Sequence, residues 1–269
     1  MLFKNKKCSK CQSVYEEVLD ECPYCSTPNT RYVELGIPKK IIMLPWLNQL
    51  GLFLVGLIGL VVLQYIFSFI FGSALGETNT LALLLANVVP YVLILLGLFA
   101  TLIFFRKKIF NSFRKPYDFL IGLGFGAGII GISYLYSNVF LEAINIGVNN
   151  NQGTFELLVA QYPVACILIF AIVAPIVEEM TYRVGLFSFI FRVNKYFAYA
   201  VVILIFGLIH FDFQGDMVIE LLNLPNYLIA GFLFCLAYRF SGFAGCLTAH
   251  TVNNVFSIVA TIIMMNYGK

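Results

Sequence analysis

The chain is poor in charged residues, and this shortage excludes an ordinary soluble domain. Only 12% of its 269 residues are charged, while 60% are hydrophobic. Soluble domains carry about 25% charged and about 45–50% apolar residues. Apolar runs of about 20 residues recur along the chain, and this length crosses a bilayer as a helix. The composition therefore predicts an all-α polytopic membrane protein.

A cleavable signal peptide is also missing, because a polar, cysteine-containing stretch follows the N-terminal lysines where an apolar run would be needed. The apolar spans lie further along the chain. They fall at about 48–71, 81–105, 118–140, 159–177, 196–211, 223–238 and 243–265, with a short piece at about 184–192. These runs predict seven crossings, or eight if the short piece is deep enough to span the bilayer.

Lysine and arginine are absent from every second connection between these spans. The connections without them are 72–80, 141–158 and 212–222. Basic residues occur before the first span and in the alternate connections, among them Arg106 and Lys195. Since basic loops stay on the cytoplasmic side, the N-terminus is predicted to be cytoplasmic. The bilayer explains the basic residues, so a nucleic-acid partner is not expected.

Two CxxC knuckles occur near the N-terminus. They contain the cysteines Cys8, Cys11, Cys22 and Cys25. Four thiolates can hold one tetrahedral zinc ion, whereas two disulfides, the alternative, require an oxidising compartment. On the reducing cytoplasmic side we expect a structural zinc ion that folds a zinc-ribbon-like module over residues 1–30. A linker at 31–45 and a helical membrane domain at 46–269 would follow. The remaining cysteines lie in apolar segments and are expected to be core residues.

A pair of adjacent glutamates interrupts one of the apolar runs. Glu178 and Glu179 are about 100° apart on a helix, so they face different neighbours. Arg183 follows Glu179 at the i,i+4 spacing that favours a helical ion pair, which leaves Glu178 as the freer carboxylate. Pro175 removes the backbone bond to the carbonyl of Ala171 and should kink the helix before the pair. Charges this deep in a bilayer are costly, so they indicate a functional site.

Histidine is scarce, and both histidines lie in apolar stretches after the glutamate pair. His210 ends one span, while His250 and Asn254 share one face of the last span at i,i+4. Interhelical hydrogen bonds would explain each histidine alone. The HExxH pair of helical zinc proteases is absent. Together, Glu178 and His210 could deprotonate a water, and His250 with Asn254 could stabilise an oxyanion.

One glycine motif imitates a dinucleotide fingerprint. Gly126, Gly128 and Gly131 fit GxGxxG, but they lie inside a transmembrane run with no preceding strand. Spaced by four, the pairs Gly122/Gly126 and Gly124/Gly128 are typical of closely packed membrane helices. We interpret the motif as a packing surface.

Three short motifs follow one another across the spans. They are EExxxR (Glu178, Glu179, Arg183), FxxxH (Phe206, His210) and HxxxN (His250, Asn254). In this order they resemble the CAAX protease and bacteriocin-processing family (CPBP, also called Abi), over roughly residues 170–256. The resemblance implies a mostly eight-helix endopeptidase in a bacterial cell membrane, in which the first Glu and first His act on water while the second His and the Asn stabilise the oxyanion. Many members have Gly directly after the motif Arg, where this chain has Val184.

The leading hypothesis is an intramembrane endopeptidase that cleaves a membrane-associated peptide or protein and needs no catalytic cofactor. A metal-dependent version remains open, because two His and two Glu can bind zinc. A non-catalytic membrane protein of the same family, acting in bacteriocin immunity or as a regulatory scaffold, is the second hypothesis. A transporter with a buried proton relay is the third, although the sequence shows no internal inverted repeat.

Overall fold

The N-terminal module is a small antiparallel hairpin with two cysteine knuckles. The computed structural model describes residues 4–30 and 36–267. Strand β1 (Asn5–Lys7) pairs with β2 (Val14–Glu16). Five of the fifteen residues of the predicted linker, 31–35, lie outside the described residues.

Long apolar helices form the rest of the molecule. In chain order they are α1 (Trp46–Leu75), α2 (Thr80–Phe104), α3 (Arg106–Asn111), α4 (Pro116–Leu141), α5 (Asn150–Gln161), α6 (Pro163–Phe191), α7 (Lys195–Leu208) and α8 (Met217–Tyr267). Among the described residues, five of these helices (α1, α2, α4, α6 and α8) are long and apolar enough to cross a membrane. The predicted all-α membrane fold is therefore confirmed.

Helix α6 begins and ends at other residues than the span predicted at about 159–177. It begins at Pro163, because Tyr162 before the proline leaves the helical region, and the residues ahead of it form the separate helix α5. It also continues through a π-helical stretch, Met180–Phe187, to its end at Phe191. The separate short helix predicted at 184–192 is therefore wrong, since no helix-breaking residue divides it from the glutamate pair.

Helix α8 contains two arms that meet at Gly242. The backbone there has φ 71° and ψ −163°, which a residue with a side chain rarely adopts. An added Cβ would also lie 2.9 Å from the Ser112 hydroxyl. The two arms, residues 217–241 and 243–267, correspond to the last two predicted spans.

The glycine motif of α4 packs against the second arm of α8. A Cβ on Gly122 would lie 2.4 Å from the carbonyl oxygen of Gly245, and one on Gly126 would lie 3.0 Å from that of Ala249. Gly124 and Gly128, the other pair, face open space. The packing interpretation therefore holds for one of the two predicted pairs.

The N-terminal module is docked on one end of the helical domain by polar contacts. Glu16 of β2 accepts a bond from the Trp46 backbone N–H at 2.9 Å and forms an ion pair with Arg192, whose side chain is fully buried. Asp20 forms an ion pair with Lys108 of α3. The segment before α1 is equally buried from Ile41 to Leu44, so this part of the predicted linker packs as core.

Candidate active site and metal centre

The four residues predicted to be catalytic line a single cavity. They are Glu178, His210, His250 and Asn254. The cavity lies among α2, α5, α6, α7 and α8 and has a volume of about 210 Å³, whereas one water molecule needs about 10–15 Å³. It therefore has room for water and for part of a substrate.

Glu178 is held at one oxygen and free at the other. Its Oε1 accepts a hydrogen bond of 2.7 Å from the Tyr91 hydroxyl on α2. Its Oε2 is buried without a hydrogen-bond partner among the described residues and lies 3.8 Å from Nε2 of His250. A buried carboxylate oxygen without a partner is costly, so it calls for a ligand such as water in the cavity.

Glu179 is fully buried and has three polar partners. Its Oε1 accepts bonds from Arg183 at 3.0 Å and from Nδ1 of His250 at 2.8 Å. The Cys246 thiol donates to its Oε2 at 2.6 Å. The i,i+4 pair with Arg183 is present, as the spacing predicted. Cys246, expected to be a simple core residue, is also a hydrogen-bond donor.

Arg183 is enclosed by aromatic rings and backbone. Its guanidinium lies 4.7 Å from the ring centroid of Phe206 and 5.2 Å from that of Phe234. It also donates to the carbonyl of Gly231 at 3.3 Å. The Arg183 and Glu179 side chains are both fully buried, so the guanidinium neutralises Glu179 away from solvent, between two aromatic rings that attract a cation. Its neighbour Val184 is completely buried without disturbing this arrangement.

Both histidines use Nδ1 for a hydrogen bond within the protein and leave Nε2 for the cavity. Nδ1 of His210 is 2.8 Å from the carbonyl of Phe206, an acceptor, so this nitrogen carries the proton. Nδ1 of His250 likewise faces the Glu179 carboxylate. Each ring is also stacked, His210 on Tyr227 at 4.6 Å and His250 on Phe234 at 4.4 Å between centroids. Both rings are thus oriented with Nε2 available to a ligand.

Asn254 takes the place of a backbone donor that Pro175 lacks. The stretch Ile167–Val173 is π-helical, so the carbonyl of Phe170 would receive its bond from residue 175. Pro175 has no N–H, and Asn254 donates to this carbonyl at 2.7 Å instead. The carbonyl that Pro175 leaves to a side chain is therefore that of Phe170, one residue before the predicted Ala171. One amide hydrogen of Asn254 remains for a ligand.

Sequence patterns did not single out Tyr91 or helix α5, although both contribute to the cavity. Tyr91 is a lone tyrosine in an apolar span, without any local signal. Asn151 and Gln152 of α5 line the cavity near His210. A run of asparagines at 149–151 between two spans is a polar signal that could have indicated this part of the cavity wall.

The two cysteine knuckles have the same backbone geometry. Gln12 donates to the carbonyl of Cys8 at 3.1 Å, and Ser26 donates to that of Cys22 at 2.8 Å. Gln12 and Ser26 both have positive φ, 62° and 54°. Each knuckle thus turns its two thiols towards the other knuckle.

The four thiols are positioned to bind a metal ion. All their Sγ atoms lie within 4.8 Å of one another, and the pairs Cys8–Cys25 and Cys11–Cys22 are 3.6 Å apart. A tetrahedral zinc with bonds of about 2.3 Å gives sulfur separations of about 3.8 Å, so the cluster fits. Backbone N–H groups of Cys11 and Lys10 lower the pKa of the Cys8 thiol to about 6. All seven cysteines, each within the described residues, carry free thiols, so the disulfide alternative is not what the structure has.

The site and fold together define an integral membrane protein with a protease-like buried centre. Residues 160–256 match the family described as "Type II CAAX prenyl endopeptidase Rce1-like". This match confirms, over residues 160–256, the resemblance carried by the three sequence motifs.

Two curated proteins are similar over a larger part of the chain. An uncharacterized protein of Mycoplasma capricolum subsp. capricolum is 29% identical over 192 residues, which cover 66% of this chain and 55% of that protein. The UPF0177 protein YvdC of Lactococcus lactis subsp. lactis is 24% identical over 188 residues, which cover 67% of this chain and 68% of that protein. The matched part thus spans about half the length of the Mycoplasma relative. No solved structure matches the chain.

Proposed function

We propose that this protein is an intramembrane endopeptidase in which Glu178 activates water to cleave a peptide bond. The observation that carries this proposal is the buried, unpartnered Oε2 of Glu178 on the wall of a cavity that both histidines also line. The family match of residues 160–256 supports the same class of reaction.

Water activation needs a proton acceptor and a second group that orients the water. Glu178 supplies Oε2 as the base, and Tyr91 holds its other oxygen in place. Neutral His210, protonated at Nδ1, offers the Nε2 lone pair as an acceptor for the second water hydrogen. The water oxygen then attacks the scissile carbonyl, and Glu178 passes the proton to the leaving amine.

The tetrahedral intermediate needs hydrogen-bond donors for its oxyanion. Asn254 has one amide hydrogen left after its bond to Phe170. His250 donates from Nε2 only when both ring nitrogens are protonated, because Nδ1 already donates to Glu179. Each oxyanion donor contributes about 2.7–4 kcal/mol to the transition state. Glu179 and Arg183 act as positioning residues behind His250.

Replacing Glu178 by Gln tests the mechanism, because Gln keeps the shape and removes the base. We expect cleavage to fall about 10²- to 10⁴-fold, the usual contribution of a general base. The measurement is mass spectrometry of peptides released from membranes that contain the wild type or the variant.

The matched control is Glu21→Gln, which removes a partly exposed carboxylate of the N-terminal module, outside the cavity and away from its opening, and should leave cleavage unchanged. Full cleavage by the Glu178→Gln protein would rule out the mechanism. A cellular phenotype that survives alanine at all four cavity residues would favour the non-catalytic scaffold.

We further infer that the N-terminal thiols bind one structural zinc ion and that the cavity works without metal. Metal analysis of the purified protein should find about one zinc per chain, and replacing Cys8 and Cys22 by Ser should remove it. Zinc that remains in this variant, lost only when His210 or His250 is also replaced, would show a metal-dependent site in the cavity.

A further inference from the structure

The catalytic candidates lie at mid-depth in the membrane domain. Glu178 is about 20 Å from the end of α6 at Phe191, at 1.5 Å per residue. Helix α7 starts from the same end, at Lys195, but has only 14 residues, so it ends at a similar depth. His210 lies in the turn just after it. The short α7 therefore brings His210 level with Glu178.

From this level towards the N-terminal module, which carries the four-thiol cluster and is called the metal module below, the protein is closed. Every residue of α6 from Val177 to Ser188 is buried. At the end of the helix, the Arg192 side chain donates to Gln49 and to the carbonyl of Leu44 and pairs with Glu16. Beyond Glu178, none of the described residues of α6 towards Phe191 lines the cavity. The described part of the chain therefore leaves a substrate no polar route from this side.

From the same level towards the opposite face, the cavity continues and its walls become polar. Asn253, Asn254 and Ser257 line it on the outward part of α8, and each is only half-buried. Asn87 of α2 and Gln152 of α5 complete this polar wall. The opening therefore faces away from the metal module.

The face with the opening is acidic. The three connections on this side, 72–80, 141–158 and 212–222, contain acidic residues and no Lys or Arg. Asp212, in the turn that follows His210, is partly exposed, and a bond from Asn150 lowers the pKa of its carboxyl. No lysine or arginine lines the cavity either. A surface that carries charges of one sign attracts ligands of the opposite charge.

We propose that the site is filled from the face opposite the metal module, by an extended peptide segment that carries basic residues. With the N-terminus cytoplasmic, this is the outer face of the membrane. The substrate then belongs to the class of cationic peptides, or basic segments of membrane proteins, that are exposed outside the cytoplasm. The choice of peptide as ligand rests on the proposed function, whereas the sidedness of the cavity does not.

Cysteine labelling tests the sidedness. The variants Asn151→Cys and Ser257→Cys place a thiol at the mouth and on the outward wall of the cavity. A membrane-impermeant maleimide should label both in intact cells. Lys107→Cys, an exposed residue of α3 on the opposite side, is the matched control and should be labelled only in inverted vesicles. The wild type measures the background labelling. Among its cysteines, all within the described residues, only Cys11 is exposed, and it lies in the metal module.

Labelling of the two cavity variants from the inverted side, or from neither side, would overturn the proposed opening. The Glu178→Gln change in the same background should leave the labelling pattern as it is. Loss of cleavage and loss of access are therefore separate results.

A peptide mixture added to the outer face tests the substrate class. The cleaved peptides, identified by mass spectrometry, should be at least about threefold enriched in basic sequences at low ionic strength, with less enrichment in high salt. Asp212→Asn, which keeps the shape of the turn, should reduce the enrichment. Equal cleavage of acidic and basic peptides would overturn the charge preference, while no cleavage by the wild type would count against the proposed function.

Discussion

At the scale of single residues, two adjacent glutamates have opposite surroundings. Glu179 is surrounded by Arg183, His250 and Cys246, so its charge is neutralised and fixed. Glu178 faces the cavity with one oxygen unpartnered. The 100° turn between neighbouring helical residues separates these environments. In the proposed mechanism Glu179 is therefore the positioning carboxylate and Glu178 the base.

Tyr91 is the residue on which the orientation of Glu178 depends. Tyr91→Phe removes the hydroxyl and keeps the ring, so Glu178 loses its only hydrogen bond among the described residues. A hydrogen bond to a charged group contributes about 1.5–3 kcal/mol, so we expect kcat/KM to fall about 10- to 100-fold with the fold intact. Cleavage kinetics in proteoliposomes measure this loss.

Tyr136→Phe is the control for this change. Its hydroxyl also donates across helices, to the carbonyl of Leu222, but it does not line the cavity. Equal activity of Tyr91→Phe and Tyr136→Phe would show that Tyr91 does not position the base.

At the scale of elements, the contact between α4 and α8 places His250. Gly122 and Gly126 let the second arm of α8 approach α4 at backbone distance. Gly242 lets α8 reverse between its two arms. Small residues at these points fix where the arm that carries His250 and Asn254 lies.

A side chain at Gly122 should separate these helices. Gly122→Ala places a Cβ 2.4 Å from the Gly245 carbonyl, so the backbones must move apart. Overpacking of this kind costs about 1–3 kcal/mol, and we expect a lower thermal midpoint in detergent. Gly124→Ala, two residues further along the same helix, faces open space and should leave the midpoint unchanged or raise it slightly. Equal midpoints for the two variants would contradict the packing role.

At the scale of the whole molecule, the N-terminal module and the membrane domain share a buried hydrophobic cluster. Cys8, Tyr15 and Leu19 of the module belong to the same buried cluster as Val177 and Tyr182 of α6. The Glu16–Arg192 pair joins the hairpin to the end of that helix. A metal ion that folds the module would therefore also stabilise the helix that carries Glu178.

Breaking the Glu16–Arg192 contact tests this coupling. Glu16→Gln leaves the buried Arg192 side chain without its counter-charge, which costs about 3–5 kcal/mol for a buried pair. We expect a clearly lower thermal midpoint and a lower zinc affinity. Lys4→Gln is the control, because the Lys4 side chain is 64% exposed and its pair with Glu17 contributes at most about 1 kcal/mol. Zinc affinity that is equal in both variants would show that the two parts are uncoupled.

The sequence alone determined the features that depend on local spacing. Hydrophobic runs of about 20 residues predicted the membrane helices, and two CxxC knuckles predicted the thiol cluster, because four residues of a turn keep two thiols together. The i,i+4 spacing predicted the Glu179–Arg183 ion pair, since one helical turn brings these side chains into contact. The continuity of α6 through 184–192 was missed, because hydropathy falls at the polar motif while the helix does not end there.

Only the tertiary structure decided which partners come from other helices. Tyr91 approaches Glu178 from α2, 87 positions away in the chain, and Asn254 meets the carbonyl of Phe170, 84 positions away. Helix packing sets such contacts, and no periodicity of one segment encodes them. The depth of His210 likewise depends on where the 14-residue α7 lies among longer helices. The sequence therefore predicted the groups of the site, while packing selected their neighbours and the face on which the cavity opens.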